Sequence, residues 1–379
     1  MSNDVILNPF PVSGYHGSAL FCDRETETKL LISNAMNGVN TTLLSERRMG
    51  KTGLIHHVFA GLRKKKAQGI YTDIYATQSL RDFTNQLATA ILKVYPEKHS
   101  LGKKFLALLK SFRPVLSFDP LSGAPEVSFD FEQQKQYEQS LGGLFNFLEK
   151  QKNHIIIAID EFQQITFYPE KNIEALLRSH IQQLRHVHFI FSGSSQHLLS
   201  DMFGNTKRPF FSSTQSLYLG PVQAGKYAPF ISLKFSERNR QISQDAVDFI
   251  LEWTRLHTYY TQALCNRIYA TGLKKVTLAH VQQAASELLQ DQEAVFFQYR
   301  TLLTSNQWQL LKAIAGEDKV YQPSSKHFIQ KYLLGTPANV QRSLEALLTK
   351  EMVYKQKDEN GFYYRVYDCF LARWLEKKG

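Results

Sequence analysis

The chain has 379 residues, of which 43% are hydrophobic and 21% are charged. This balance is typical of a folded globular protein and excludes a disordered or fibrous one, and the length favours two or three domains. Lysine and arginine outnumber aspartate and glutamate by 45 to 34, a net charge of +11. A polyanionic partner such as nucleic acid is therefore electrostatically allowed, although a solvated basic surface explains the charge equally well.

The cysteine pattern and the hydropathy exclude several other classes of protein. Cys22, Cys265 and Cys369 are far apart and form no CxxC pair, so we expect neither a disulfide framework nor a structural zinc site. No apolar run approaches the roughly 20 residues that span a bilayer. Residues 1–11 contain no basic segment followed by an apolar one, so we expect no secretory signal. A cytoplasmic protein without a membrane span is the expectation.

The first half of the chain predicts a parallel α/β sheet. From Thr41 to Ile165, short apolar strands alternate with amphipathic helices, as in βαβ units. The clearest helix is Thr52–Lys66, and its basic end Arg63–Lys66 complements the helix dipole. The predicted strands are Thr41–Ser45, Ile70–Tyr75, Ile155–Asp160 and Val187–Ser192.

The rest of the chain predicts an insertion and two further domains. Alternating residues and a turn between 113 and 131 indicate a β-hairpin, which serves either as a partner-binding arm or as a passive excursion. After about Pro221 the strands are expected to stop, and the chain reads as helical through Leu303. Three helices and a hairpin then follow, the order of a winged helix-turn-helix. The predicted domains are residues 1–222, 223–303 and 304–379.

The strongest chemical signal is the segment Ser45–Thr52, which lies between a predicted strand and a predicted helix. It ends in Gly-Lys-Thr, and loop and helix N–H groups in this context cradle phosphates. Lys51 would pair with the phosphates and the Thr52 hydroxyl would ligate Mg²⁺. Ser45 replaces the first glycine of the G-x-x-x-x-G-K-[ST] pattern, which a serine with negative φ tolerates.

Two later strands end in polar residues that suit the same chemistry. The buried strand Ile155–Asp160 delivers Asp160 to the edge of the sheet, where it would hold Mg²⁺, and Glu161 would orient or deprotonate the attacking water. Solvated acidic caps are the alternative reading. The apolar strand before Ser192–Ser195 would present a hydroxyl to the γ-phosphate, a weak signal by itself. Together the motifs indicate a P-loop nucleotide hydrolase.

These residues resemble the archaeal-type P-loop ATPases of the AAA+/STAND kind, which are also numerous in bacteria. The segments that carry the resemblance are Asn8–Phe10, Phe21–Glu25, Arg47–Thr52, Asp160–Gln163 and Ser192–Ser195, and they cover roughly the first 220 residues. The resemblance implies an AAA+-like sheet domain, a helical lid domain and a winged helix. It implies ATP rather than GTP as the nucleotide, and the chain contains no Asn-Lys-x-Asp guanine signature.

The resemblance also implies roles for individual residues. Ser194 falls at the family's sensor position, and Asp23–Glu25 would run near the adenine. His257 lies in a segment similar to the family's Gly-His-Pro-Tyr lid loop, in which Leu256 and Thr258 are departures; a histidine satisfied at a helix end is the alternative. Arg208, and behind it Arg185, are candidates for an arginine finger, although a structural arginine is the ordinary reading. The predicted nucleotide contacts are Arg47, Arg48, Met49, Gly50, Lys51, Thr52, Gly53, Asp160 and His257, with Lys51, Glu161, Ser194 and Arg208 as catalytic residues and Thr52 and Asp160 as metal ligands.

The C-terminal domain leaves the partner open. Residues 301–379 hold 12 Lys and Arg against 8 Asp and Glu, a net charge of +4. Asn339, Gln341 and Arg342 would face a major groove and Lys355 and Lys357 would meet phosphates, yet many winged helices bind only proteins.

The predicted function is Mg²⁺-dependent hydrolysis of ATP to ADP and phosphate, coupled to movement of the lid and the winged helix. The alternatives are a nucleotide-gated scaffold with little turnover and an initiator-like ATPase that binds duplex DNA. A homo-oligomer is compatible with each of them.

Overall fold

The computed structural model describes residues 8–62, 67–112, 114–120, 123–129, 133–151 and 153–378. The basic run predicted at 63–66, and residues 113, 121–122 and 130–131 of the predicted hairpin segment, lie outside the described residues. The chain forms two compact units: residues 14–220, and residues 8–13 together with 221–378. The domain boundaries predicted at 222 and 303 stay a prediction.

A five-stranded parallel sheet organises the first unit, which confirms the predicted fold class. Its strand order is β2-β5-β6-β1-β7, so β6 lies between β1 and β5. The described residues of this unit also include the 3₁₀ helices Ser18–Leu20 and Phe162–Phe167. The helices and strands are α1 (Glu25–Met36), β1 (Thr41–Leu44), α2 (Lys51–Leu62), β2 (Ala67–Asp73), α3 (Leu80–Val94), α4 (Ser100–Ser111), β3 (Val115–Phe118), β4 (Pro125–Ser128), α5 (Gln134–Glu149), β5 (His154–Asp160), α6 (Ile173–Ile181), β6 (Val187–Ser192), α7 (Gln196–Gly204) and β7 (Gln215–Tyr218).

The aliphatic run of β5 is buried on both faces of the sheet. Ile155, Ile157 and Ile159 join one core, whereas Ile156 and Ala158 join the core beneath α1 and α2. Successive side chains of a strand point to opposite faces, so a strand covered by helices on both sides needs a continuous apolar run. The run therefore suits an interior strand of the sheet, where β5 lies between β2 and β6 with its carboxyl end at the same edge as the ends of β1 and β6.

Strand β7 was not predicted, whereas β6 has the predicted bounds Val187–Ser192. Strand β7 is a four-residue edge strand with mostly exposed side chains, so its sequence lacks the apolar run that marks the central strands. The hairpin pairs β3 with β4 in antiparallel register, and Phe129, which follows β4, is fully buried.

The second unit is mostly helical. The expectation that strands stop after Pro221 was wrong, because β8 and β9 form a two-residue parallel pair, Gln241 with Lys275 and Ile242 with Val276. Within the described residues, no helix combines the length and the apolar character needed to cross a membrane. The elements before the winged helix are α8 (Ala224–Ser236), β8 (Gln241–Ile242), α9 (Gln244–Trp253), α10 (Thr258–Ala270), β9 (Lys275–Val276) and α11 (Leu278–Leu302).

The winged helix has the predicted order of three helices and a hairpin, followed by one further helix that was not predicted. Residues of α14 and of that last helix pack into one apolar core, including Leu344, Leu347, Phe370 and Trp374. Thr304 and Thr336 cap α12 and α14 by accepting hydrogen bonds from Gln307 N and Asn339 N. The elements are α12 (Ser305–Glu317), α13 (Lys326–Tyr332), α14 (Pro337–Thr349), β10 (Val353–Asp358), β11 (Gly361–Val366) and α15 (Cys369–Lys378).

The N-terminal segment Asn8–Phe10 is anchored within the second unit. Asn8 Nδ2 donates to the Asn266 carbonyl at 2.9 Å, and Asn266 Nδ2 donates back to the Phe10 carbonyl at 2.8 Å. The Phe10 ring is fully buried and lies 5.5 Å from Phe235 and 5.9 Å from Tyr269 between ring centroids. One of the segments that carries the family resemblance therefore packs against the helical part of the chain.

Candidate functional site

The loop between β1 and α2 has the backbone of an anion cradle. Gly50 has a φ of 97°, which L-residues rarely adopt, and Arg48 has a φ of 58° in the left-handed region. Alternation of right- and left-handed residues turns successive N–H groups towards one concavity, and helix α2 begins at Lys51 directly after it. The loop can thus surround a phosphate with backbone donors.

Lys51 is buried at the base of this loop. Its Nζ donates to Ser45 Oγ at 3.0 Å and to the Glu46 carbonyl at 3.1 Å, and the residue is only 7% exposed. Burial lowers the pKa of Lys51, although the carboxylates of Asp160 and Glu161 act in the opposite direction. The Ser45 hydroxyl therefore accepts a hydrogen bond from Lys51 that a glycine at position 45 could not accept.

Asp160 joins three elements at the edge of the sheet. Its Oδ2 accepts hydrogen bonds from Thr52 Oγ1 at 2.7 Å and from Tyr71 OH at 3.0 Å. Its Oδ1 accepts the backbone N–H of Glu161 at 3.1 Å. Burial, followed by the charge of Asp160, raises the pKa of the Tyr71 phenol, which therefore stays a hydrogen-bond donor at neutral pH. The two predicted metal ligands, Thr52 and Asp160, are in direct contact.

Glu161 is held by donors from two segments. The residue has a φ of 57°, so the chain turns sharply out of β5 and into the 3₁₀ helix. Glu161 Oε2 accepts from Ser194 Oγ at 2.7 Å, from Ser194 N at 3.1 Å and from Gln163 Nε2 at 2.5 Å. Strand β6, which leads to Ser194, neighbours both β1 and β5, and this topology brings the predicted sensor residue onto the predicted base.

The other residues of this loop that are predicted to contact the nucleotide differ in their exposure. Arg47 and Arg48 are exposed, whereas the Met49 side chain is 2% exposed and belongs to the core beneath α2. The Met49 backbone, rather than its side chain, is what the loop can offer a ligand. A Cβ on Gly53 would lie 3.5 Å from the Phe21 ring, so this helical glycine borders the N-terminal aromatic residues.

Arg24 of the segment expected near the adenine has a structural position. Arg24 is 5% exposed, and its guanidinium donates to the Gly220 carbonyl at 2.7 Å and to Glu27 at 3.0 Å. Asp23 and Arg24 both have left-handed backbone, at φ of 59° and 71°. Proximity of this segment to the base stays a prediction.

Arg208 and Arg185 belong to the sheet unit, and His257 belongs to the second unit. Arg208 Nη2 pairs with Glu174 at 2.6 Å, and its Nε lies 3.6 Å from Asp201. Arg185 precedes β6, at the strand's opposite end, about 20 Å of strand away from the edge where Ser194 lies. His257 is the N-cap of α10 in the second unit and its ring lies 4.6 Å from that of Tyr260. The roles predicted for Arg208 and His257 stay predictions.

Three residues near Asp160 and Glu161 were given no role from the sequence: Tyr71, Asp73 and Gln163. Asp73 pairs with Asp160 in the register of β2 and β5, and burial, followed by the charges of Asp160 and Glu161, raises its pKa against an opposing hydrogen bond from Tyr75 N. Asp73 lies two residues before the end of the predicted strand Ile70–Tyr75, which was a usable signal because parallel strands end at one edge. Gln163 was marked only as the last residue of Asp160–Gln163, a segment that carries the family resemblance, and no role was predicted for it. No sequence pattern marked Tyr71.

The oxygen atoms of Thr52 and Asp160 are the kind of donors that Mg²⁺ takes, usually with phosphate oxygens and water as its other ligands. In the part of the chain that the structure describes, no group of three or more His, Cys, Asp or Glu could hold a metal by itself. The donor set therefore fits a cation that arrives with a nucleotide rather than a resident metal.

Two family models match the chain. Residues 21–254 match the model of an ATPase domain predominantly from Archaea, and residues 294–377 match the model of a probable winged helix domain. No curated protein sequence matches.

Among solved structures, the fold is similar to that of the Walker-type ATPase PABY2304 of Pyrococcus abyssi, with a TM-score of 0.67, 19% identity, and coverage of 97% of this chain and 99% of that one. It is also similar to the ORC2 protein of Aeropyrum pernix in ADPNP–ADP complexes, with a TM-score of 0.57, 13% identity, and coverage of 98% of each chain. At these identities the likeness shows the fold alone.

Proposed function

Because the chain belongs to the family of ATPase domains found predominantly in Archaea, we propose that it hydrolyses ATP to ADP and phosphate and requires Mg²⁺. Family membership makes the chain an ATP-binding ATPase with a C-terminal winged helix. The catalytic reaction, its residues and its metal are the proposal. Three further points stay predictions: coupling of the nucleotide state to movement of the helical region and the winged helix, assembly into oligomers, and residence in the cytoplasm.

The observation that carries the proposal is the 2.7 Å hydrogen bond from Thr52 Oγ1 to Asp160 Oδ2. It brings the helix that begins in the phosphate loop against the acidic end of β5. A phosphate seated on the loop N–H groups would then lie beside two oxygen ligands for a cation and beside the Lys51 ammonium. Positioning and charge neutralisation are the main requirements of phosphoryl transfer, and this edge of the sheet supplies both.

Each residue has a defined task in this mechanism. Thr52 and Asp160 would hold Mg²⁺, which neutralises phosphate charge when bound. Lys51 exchanges its hydrogen bonds to Ser45 and Glu46 for phosphate oxygens. Glu161 accepts a proton from the attacking water, and Ser194 holds that carboxylate in place.

Steady-state phosphate release from ATP tests the proposal. We expect Mg²⁺-dependent turnover by the wild type, and a fall of about 100-fold or more for Glu161→Gln, which removes the base but keeps the side-chain volume. ATP binding should survive in Glu161→Gln and be lost in Lys51→Ala. Tight binding without turnover in the wild type would instead support a nucleotide-gated switch, and unchanged ATP affinity in folded Lys51→Ala would contradict the assigned phosphate loop.

A second candidate function, binding of duplex DNA, is favoured by the wing. Lys355 and Lys357 are exposed on one face of β10, opposite Tyr364 and Phe362 of β11. Lys355 Nζ lies 4.6 Å from the centroid of the Phe362 ring, which is 55% exposed. A basic strand beside an exposed aromatic ring suits phosphate and base contacts.

Fluorescence anisotropy with a labelled duplex at two salt concentrations tests this candidate. Lys355→Glu/Lys357→Glu should weaken binding and reduce the slope of affinity against salt, since the two lysines would contact phosphates. Lys274→Glu/Lys275→Glu, outside the winged helix, is the matched control. Equal affinities of the two variants would exclude the wing as a DNA contact.

A further inference from the structure

We propose that Gln163 is a positioning residue for hydrolysis: with Ser194 it fixes one carboxylate oxygen of Glu161 and leaves the other oxygen to receive the proton of the attacking water. This inference rests on the proposed function, because it assigns a task within that reaction. It concerns a glutamine that the general phosphate-loop and acidic-strand patterns do not require.

The two oxygens of Glu161 have different surroundings. Oε2 accepts all three side-chain and backbone donors: Ser194 Oγ at 2.7 Å, Ser194 N at 3.1 Å and Gln163 Nε2 at 2.5 Å. Among the residues that the structure describes, none donates to Oε1. Since a carboxylate held at one oxygen turns only about a single axis, the three donors fix the direction of Oε1. Oε1 is therefore the oxygen available as a base.

The Gln163 amide is itself confined. Gln163 is 6% exposed and lies in the 3₁₀ helix Phe162–Phe167, which starts directly after Glu161. A Cβ built on Gly193 would lie 1.9 Å from Gln163 Oε1, so the amide occupies space that any other residue at 193 would fill. The contact between the 3₁₀ helix and the turn after β6 thus depends on a glycine at 193.

The orientation of the amide follows from the same contacts. Gln163 Oε1 is buried and has no hydrogen-bond partner among the described residues, while its NH₂ group faces Glu161 Oε2. A buried acceptor without a partner is unfavourable, and the reverse orientation would place that oxygen against the carboxylate. The glutamine therefore acts through its donor, and a shorter or acidic side chain cannot replace it.

Glu161 acts in the step that cleaves the terminal phosphate. In that step Glu161 Oε1 takes one proton from water, the water oxygen forms a bond to the γ-phosphorus, and the bond from that phosphorus to the β,γ-bridging oxygen breaks. ADP leaves with the electron pair of that bond, and the proton on Glu161 is then returned to solvent. Loss of Gln163 removes one of the three donors on Oε2 and so loosens the orientation of the Glu161 carboxylate.

The test compares Gln163→Ala with Gln164→Ala. Gln164 is in the same 3₁₀ helix but donates to the Thr77 carbonyl at 3.1 Å, so it is a matched control. We expect Gln163→Ala to lower kcat about tenfold at unchanged KM for ATP, a split between kcat and KM that a general loss of folding would not produce. Gln164→Ala should leave both constants unchanged. An unaltered kcat in folded Gln163→Ala would overturn the inference.

A second pair of variants covers the case in which Gln163→Ala folds poorly. Gly193→Ala should displace the amide and reproduce the low kcat, and Gly193→Ala/Gln163→Ala should be no worse than either single change, because both act on one contact. Multiplying defects would contradict the inference. Wild-type protein without turnover would refute the proposed function, whereas wild-type turnover that is indifferent to Gln163 and Gly193 would refute only this inference.

Discussion

Thr52 Oγ1 and Asp160 Oδ2 lie 2.7 Å apart although 108 positions separate them in the chain. The hydrogen bond ties the first turn of α2 to the end of β5, and Tyr71 of β2 donates to the same oxygen. Three elements of the sheet domain therefore converge on one carboxylate. An oxygen fixed by two donors is oriented before any ligand arrives, which is the arrangement that supports metal ligands in proteins.

Tyr71→Phe should raise the Mg²⁺ concentration needed for half-maximal nucleotide binding about tenfold, because loss of an orienting partner lowers metal affinity. The measurement is a Mg²⁺ titration of binding by a fluorescent ATP analogue, which needs no turnover. Tyr75→Phe is the control, since that ring is 70% exposed. If the variant needed less Mg²⁺ than the wild type, the phenol would instead compete with the cation for Asp160.

Lys51→Met should stabilise the nucleotide-free protein at neutral pH while abolishing ATP binding. Burial lowers the pKa of Lys51 in the folded protein. At a pH between the pKa of the folded protein and that of the unfolded chain, the unfolded chain therefore binds more protons. The contribution of Lys51 to stability is fully present above its pKa in the unfolded chain, about 10.4, and is lost as the pH falls through its pKa in the folded protein.

Denaturant unfolding of the wild type and Lys51→Met at pH 7 and at the highest pH that both tolerate measures this difference. We expect the gain in stability at pH 7 to be about 1 kcal/mol, the order of one buried charge-assisted contact, and to shrink at alkaline pH. A wild type more stable than Lys51→Met at pH 7 would mean that the contacts to Ser45 and Glu46 outweigh the burial of charge.

Phe10→Ala should destabilise the second unit by about 3–5 kcal/mol, the usual range for removing a fully buried phenylalanine. The ring packs against Phe235 and Tyr269, and its carbonyl accepts from Asn266. Denaturant unfolding followed by tryptophan fluorescence is a direct readout, because Trp253, Trp308 and Trp374 all belong to that unit. Phe362→Ala, at a ring 55% exposed, should change stability by less than about 0.5 kcal/mol.

The sequence predicted the elements whose side chains carry a strong local pattern. Strand β6 has its predicted bounds, and helix α2 begins one residue before the predicted start. Strand β7 was missed because its four residues are mostly exposed, and β8 and β9 because two-residue strands have no periodicity to detect. Helix α15 was missed although its Phe370, Leu371, Trp374 and Leu375 have helical spacing, so that omission was avoidable.

The residues of the candidate site also fall into those that a local sequence pattern predicted and those that it did not. Lys51, Thr52 and Asp160 are recognisable because phosphate chemistry demands those residue types beside a strand end. The contacts of Tyr71 and Ser194 depend instead on which strands are neighbours: β2 beside β5 brings Tyr71 to Asp160, and β6 between β1 and β5 brings Ser194 to Glu161. Strand order is a property of the whole chain, which no local pattern in the sequence records.

Arg208 offers a separation of structural and catalytic roles. Its guanidinium pairs with Glu174, whose side chain is 12% exposed. Burial raises the pKa of Glu174 and Arg208 opposes that rise. Arg208→Ala should therefore raise this pKa further. A group with a raised folded pKa contributes stability below its unfolded value, near 4.3, and loses it as pH rises through the folded value.

Arg208→Ala should accordingly be less stable than the wild type by about 1–3 kcal/mol at pH 7, the cost of an uncompensated buried carboxylate. This difference in the free energy of unfolding should become smaller towards pH 5. Arg208→Ala/Glu174→Gln removes that carboxylate and should recover most of the lost stability, which denaturant unfolding at both pH values would measure. Phosphate release by this double variant then isolates the catalytic role. Wild-type turnover in the stable double variant would exclude Arg208 as an arginine finger, whereas a loss of 10³-fold or more, the range for such residues, would make Arg208 catalytic as well as structural.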